Sequence, residues 1–337
     1  MLILGIETSC DEASAAVLED GRRILSNVIY SQDEIHNRYG GVVPELASRE
    51  HLRKIDSVVA TALEQAGVGI REIDAYAVTR GPGLIGSLLI GISYAKALAY
   101  FRQKPLFGVN HLIGHIHAVF LEHEKPPLPF MALVVSGGHT SLVYSATDGS
   151  VSTIGKTRDD AAGEAFDKVA KMLGLGYPGG PKIEKMAREG RGSIRFSRVK
   201  ISDGSLDFSF SGLKTAVLYH LRENPATEQT VPGICASFQR ACVEALVEQT
   251  ERALQQYPAS AILLCGGVAC NAKLREAMSH LARRHALPCL IPSPRLCADN
   301  GAMIAAASVA CDPVSPLDLD GDPNLRIPAV AERKGTA

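Results

Sequence analysis

The stretch MALVVSGGHTSLVYS, residues 131–145, sets the architecture. Its apolar runs, 131–135 and 140–144, flank Gly137-Gly138, which predicts two antiparallel strands joined by a tight turn, with a third strand near 151–154. The N-terminal region repeats that design. Runs at 2–6, 14–18 and 24–30 alternate with polar or glycine-bearing turns and predict another three-stranded meander. Leu46, Leu52, Ile55, Val59 and Leu63 then recur at helical spacing, followed by a strand at 75–79, a glycine-studded helix from Leu84, a strand at 106–109 and a helix from His111. The order is βββαβαβα. After the second meander come a helix at 160–173, an irregular basic segment, a helix near 234–256, a strand at 261–265, a helix from Ala272, a strand near 289–291 and a helix from Gly301.

One topology written twice predicts a duplicated α/β fold: a lobe at 1–125, a lobe at 126–296 with a basic insertion near 180–215, a closing helix at 297–312 that returns to the first lobe, and a tail at 313–337. Two such lobes would face each other across a cleft, where ligands of α/β folds bind.

With 337 residues, 46% apolar and 21% charged, the chain can bury a full core and lies outside the composition of disorder. Lys and Arg number 35 against 36 Asp and Glu, so a polyanion would have to be held by a local patch. Residues 185–200 are such a patch, with six basic side chains and one acid, Glu189; a phosphate contact and a merely solvated face are both open readings. The longest uncharged apolar run, 81–95, is broken by four glycines and ends at Lys96, short of the ~20 residues that cross a bilayer. With no signal-peptide pattern at the start, a cytoplasmic protein without membrane contact is expected. The eight cysteines include no C-x-x-C pair, so neither a disulfide framework nor a cysteine zinc site is expected.

Each meander opens on a tight hairpin, residues 7–12 in the first and 136–140 in the second, where backbone N–H groups can close around anionic oxygens. A third glycine element, Gly266-Gly267, follows a strand and leads to Asn271 at a helix start, a place that also suits an N-cap. These three elements resemble the two phosphate loops and the adenosine loop of the actin, Hsp70 and sugar-kinase superfamily, the actin-like ATPase (ribonuclease H-like) fold. The resemblance implies an adenine nucleotide. Those ATPases usually carry an Asp before the second Gly-Gly, whereas Ser136 stands here, so ordinary γ-phosphate hydrolysis is not expected.

His111 and His115 stand at i and i+4 of an expected helix and so share one face. Asp299, just before the last helix, can supply a carboxylate or serve as an N-cap. Two imidazoles and one carboxylate leave open coordination positions and suit Fe(II) or Zn(II).

Longer motifs make the resemblance specific: GIETSCDE (5–12), GGVVPELASREH (40–51), RGPGLIGSLLIG (80–91), NHLIGHIHA (110–118), LVVSGGHT (133–140), DDAAGEAFDKVAK (159–171), YPGGP (177–181), LDFSFSGLKTA (206–216), CGGVACN (265–271) and CADNGAMIA (297–305). Together they closely resemble the catalytic subunit of the bacterial tRNA N6-adenosine threonylcarbamoyltransferases, once called O-sialoglycoprotein endopeptidases. The resemblance implies transfer of threonylcarbamoyl from threonylcarbamoyl-adenylate to N6 of the adenosine 3′ of the anticodon, position 37, in ANN-decoding tRNAs, with release of AMP. It also implies that Val134, Val135, Ser136, Gly137 and Gly138 contact the donor. Asp167, Gly180 and Glu184 would hold its ribose region, Asn271 the adenosine, and His111, His115 and Asp299 one iron or zinc ion. A smaller paralogous actin-like subunit and a P-loop ATPase are the implied protein partners, besides tRNA.

The N6 amine must lose a proton as it attacks, and Asp11 and Glu12 in the first hairpin are the candidates to take it, unranked by sequence. A metalloprotease is disfavoured because Leu112 occupies the position of the general-base Glu in H-E-x-x-H. An adenine-nucleotide switch or scaffold remains the alternative, but it gives no reason for the metal ligands.

Overall fold

The computed structural model describes residues 1–198, 201 and 203–329. The described residues form two compact units, Met1–Lys125 with Pro292–Arg326, and Pro126–Ile291 with residues 327–329.

The first unit contains β1 (Leu2–Glu7), β2 (Glu12–Glu19), β3 (Arg23–Ser31), α1 (Asp33–Asn37), α2 (Pro44–Ala66), β4 (Ala75–Gly81), α3 (Ile85–Arg102), β5 (Leu106–Asn110) and α4 (His111–Val119). The strand order is β3-β2-β1-β4-β5, with β1 antiparallel to β2 and parallel to β4. Alternate β1 residues point to opposite faces. Leu4 and Ile6 join Ile55 and Val59 of α2 and Leu88 and Ile92 of α3, whereas Ile3 joins Val109, Met303 and Ile304.

The second unit holds β6 (Phe130–Val135), β7 (Thr140–Ser145), β8 (Val151–Lys156), α5 (Ala162–Met172), α6 (Gly179–Ala187), α7 (Ser211–Glu223), α8 (Val231–Gln256), β9 (Ile262–Cys265), α9 (Ala272–Arg284) and β10 (Cys289–Leu290). Its sheet order, β10-β9-β6-β7-β8, matches the first sheet strand for strand, with β6 antiparallel to β7 and parallel to β9. This is the duplicated α/β fold that the two meanders predict, and the actin-like arrangement that the loop resemblance implies.

Helices α10 (Pro294–Cys297) and α11 (Gly301–Ala307) belong to the first unit. The backbone of α11 lies directly on β1 and β2: a Cβ on Gly5 would strike the Gly301 carbonyl, and one on Gly301 would meet Ala16 N at 2.6 Å. This close approach fixes the residues just before α11. Residues 313–326, which carry no motif, strap the same unit. Val314 N donates to Leu106 O (2.8 Å), Asp322 N to Arg80 O (2.7 Å), and Leu319 is buried in the core. Main-chain bonds of this kind leave no periodic signature.

The segment expected to be irregular contains α6 and α7. Proline and glycine in YPGGP mimic a breaker, but Pro181 lies in the first turn of α6, where a missing N–H breaks no helical bond. The start of α7 is capped from far upstream, with Asp159 Oδ1 accepting from Phe210 N (2.8 Å) and Ser211 N (3.2 Å). Lys200, at the end of the basic segment, and residues 330–337 of the tail lie outside the described residues. Among the described residues no helix is long and apolar enough to cross a membrane.

Candidate active site

Asn110 caps α4, its Oδ1 accepting from Leu112 N (2.9 Å) and Ile113 N (3.3 Å). That cap starts the helix at His111 and places His115 one turn on, with ring centroids 4.7 Å apart. Asp299 Oδ1 lies 3.1 Å from His115 Nε2 and 3.6 Å from His111 Nε2. Asn300, not Asp299, caps α11, accepting from Met303 N at 3.0 Å, so the Asp299 carboxylate is directed to the histidines instead. His115 is fully buried, and neither ring nitrogen has a hydrogen-bond partner among the described residues. Such a group costs about 1–3 kcal/mol if left unsatisfied. A divalent ion would give Nε2 a partner, and the two imidazoles and the carboxylate are a donor set that fits one.

Behind His111 stands Glu7, which the motif reading left without a role. Its Oε2 lies 3.1 Å from His111 Nδ1 and accepts from Thr79 Oγ1 at 2.6 Å, while Oε1 accepts from Ser9 N. A carboxylate only accepts, so Nδ1 carries the proton and Nε2 is the nitrogen on the Asp299 side. Burial acts to lower the His111 pKa, but Asp299 and then Glu7 outweigh it and raise it to about 9. The same negative field attracts a cation, which competes with the proton on Nε2. Glu7→Gln keeps the volume and removes the charge, and is expected to weaken metal binding about 10–100-fold, as such supporting carboxylates do. Chelator competition on the two proteins measures it. The available signal was an acid inside a buried strand run, GIETS.

Asp11 is buried and Glu12 partly so, and their carboxylates with that of Asp33 lie within 4.8 Å of one another. Burial, then Asp11, Asp299 and Asp33, push the Glu12 carboxyl well above its ordinary range.

In the second unit Ser136 closes the hairpin, its N donating to His139 O (2.8 Å) and its Oγ accepting from His139 N (3.2 Å). A Cβ on Gly137 or Gly138 would meet nothing within 4 Å, so both face open space. Gly163 of α5 packs on the Ser136 carbonyl, and Thr140 Oγ1 accepts from Ala162 N (2.9 Å), which seats the hairpin on the start of that helix. Val134 and Val135 are fully buried in β6, paired with Ser141 and Thr140 of β7, and lead into the turn. Gly266 is at φ 92° and presses on the Val135 carbonyl, a place only glycine fits.

The remaining positions form one connected run. Asp167 Oδ1 accepts from Gly179 N (2.7 Å), next to Gly180 at the start of α6, and Glu184 Oε1 accepts from Ala272 N (3.2 Å). Asn271 both caps α9, through Leu274 N (3.0 Å), and donates to Gln239 Oε1 (2.8 Å). Gln239, buried on α8, is a support that no spacing in the sequence marks.

A model of the tRNA N6-adenosine threonylcarbamoyltransferase family matches residues 23–306. Proteins of that name are similar throughout: one from Clostridium perfringens (strain 13) is 50% identical over 332 residues, 97% of this chain and 98% of the relative. One from Anaeromyxobacter sp. (strain Fw109-5) is 51% identical over 333 residues, 97% and 100%. One from Symbiobacterium thermophilum is 54% identical over 308 residues, 91% and 90%. Two solved structures share the fold at 14% identity. Component A of the (R)-2-hydroxyglutaryl-CoA dehydratase of Acidaminococcus fermentans has a TM-score of 0.56, covering 92% of this chain and 97% of its own. HypF of T. kodakarensis has a TM-score of 0.61, covering 92% and 47%. With that match spanning both units, the chain belongs to the tRNA N6-adenosine threonylcarbamoyltransferase family.

Proposed function

We propose that threonylcarbamoyl-adenylate is the donor, that adenosine 37 of ANN-decoding tRNAs is the acceptor, and that AMP leaves. The N6 nitrogen attacks the carbamoyl carbonyl carbon and forms a new C–N bond. The bond from that carbon to the adenylate oxygen breaks, AMP takes the electron pair, and N6 gives up a proton. Asp11 or Glu12, the two carboxylates of the first hairpin, takes it. Main-chain groups of the 134–138 stretch, with Ser136, Gly137 and Gly138 at its turn, hold the donor's phosphate. Asp167, Gly180 and Glu184 hold its ribose and Asn271 its adenosine. His111, His115 and Asp299 hold one iron or zinc ion, which when bound supplies Lewis-acid polarisation of a donor oxygen.

The observation that carries this reading is the convergence of His111, His115 and Asp299, from distant parts of the chain, on one point. The test supplies threonine-labelled donor and unmodified tRNA to the chain and adds a smaller actin-like paralogue and a P-loop ATPase, the proposed partners, in turn. Label in the tRNA adenosine with equimolar AMP is expected. ATP turnover by the chain alone should be slow, since Ser136 replaces the ATPase Asp. Robust ATP hydrolysis without transfer would instead favour a nucleotide switch.

The cytoplasm is the proposed compartment, where tRNA is available. For tRNA contact we favour the basic segment that follows Glu184. Arg188 and Arg198 are paired with acids, whereas Lys185, Arg191 and Arg195 are exposed and have no ion pair among the described residues. Replacing these three by Ala should lower the slope of log binding constant against log salt by roughly 2–3, with adenylate binding unchanged. An unchanged slope would remove the segment from the tRNA interface.

A further inference from the structure

The acidic turn between β1 and β2 is held by three donors on three successive carbonyls. Ser9 O accepts from Leu84 N at the start of α3 (2.8 Å), and Asp11 O accepts from Gln32 N (3.1 Å). Between them, Cys10 O accepts from His51 Nε2 at 2.8 Å, the one side chain among the three. We propose that His51 is a positioning residue for the transfer reaction, holding the Cys10 carbonyl so that the Asp11 and Glu12 carboxylates keep their place.

His51 lies on α2 and is fully buried. A carbonyl only accepts, so Nε2 carries the proton and Nδ1 the lone pair. Nδ1 has no hydrogen-bond partner among the described residues. An unsatisfied buried nitrogen costs about 1–3 kcal/mol, a penalty that a leucine of similar size would avoid. Packing alone therefore does not account for histidine here. What the ring supplies is one directed bond to the turn. Burial holds its pKa below the ordinary value, in keeping with a neutral ring that has one donor and one acceptor nitrogen.

The surrounding network is built to the same end. Gln32, whose main chain holds the Asp11 carbonyl, is itself buried and faces His36, with its Oε1 3.2 Å from His36 Nε2. His36 Nδ1 accepts from Val43 N (3.3 Å) at the entry to α2. Glu12 pairs with Ser31 in the β2–β3 ladder. With Ser9 and Asp11 anchored on either side, loss of the central bond frees the Cys10–Asp11 peptide to rotate. That rotation moves the Asp11 carboxylate, and a misplacement of about 1 Å can lower a rate ~100-fold.

The inference rests on the acidic turn serving the incoming amine. The experiment measures kcat and KM for donor and tRNA, metal content and thermal midpoint for the full chain and its variants. His51→Leu should lower kcat about 10–100-fold with KM for donor and metal content unchanged. His51→Gln, whose amide Nε2 can reach the same carbonyl, should recover most of the loss, and His51→Asn, whose amide is too short, should not. In a His51→Leu, Asp11→Asn double variant the losses should be clearly less than multiplicative, as for residues acting through one group.

Parental kcat in His51→Leu, while Asp11→Asn or Glu12→Gln is slow, would overturn the inference and leave the reading of the turn intact. Parental rates in both acidic variants would overturn that reading and the inference with it. Should the Leu variant fail to fold, the Gln and Asn variants decide the matter: equal kcat in the two overturns the proposal, and a tenfold or larger advantage for Gln supports it.

Discussion

His115→Ala is expected to retain no stoichiometric metal and to lose transfer activity by at least about 1,000-fold. His115 is fully buried, and its Nε2 is the ring nitrogen nearest Asp299, at 3.1 Å against 3.6 Å for His111. Removing it leaves one imidazole and one carboxylate, too few to hold a transition-metal ion in a site that also needs open positions for substrate. A bound metal contributes several kcal/mol to the transition state of a carbonyl attack, and each ~1.4 kcal/mol is tenfold in rate. Metal analysis and circular dichroism on the same preparation separate loss of the ion from loss of the fold. Metal content equal to the parent would remove His115 from the ligand set.

Asp11→Asn and Glu12→Gln should keep metal and adenylate binding while lowering transfer to tRNA by roughly 100 to 10,000-fold, the usual contribution of a positioned acid or base. Both replacements are nearly isosteric, and the carbonyls of the turn keep their three donors, so the hairpin stays in place. Single-turnover transfer at saturating donor is the measurement. Parental rates in both variants would make the turn structural and send the search for the base elsewhere.

Much of the candidate residues' placement within each unit was readable from spacing. A histidine pair at i and i+4 behind an Asn cap defines its own face, because helical geometry is local. A glycine pair between two apolar runs likewise defines its own hairpin. Glu7 was less legible, since a buried acid in a strand signals only that some partner exists, and His111 is named as that partner by the pairing of β1 with β4 and β4 with β5. His51, although it closes a quoted motif, and Gln239 give no local sign of what they hold, as their partners, Cys10 and Asn271, lie on other elements.

Local periodicity, turn chemistry and capping reside in a few neighbouring residues, so the sequence by itself determined the two βββαβαβα copies and the loops that open them. Tertiary structure decided what depends on register between distant elements. The seating of Gly301 against Ala16 and Gly5 fixes where α11 begins, and thereby brings Asp299 to the histidines. The long-range cap from Asp159 starts α7 in a stretch that reads as irregular. The strap at 313–326 is held where main-chain groups of β5 and β4 receive it and Leu319 enters the core. In each case at least one side of the deciding contact is a backbone atom, which every residue type carries and no residue pattern records.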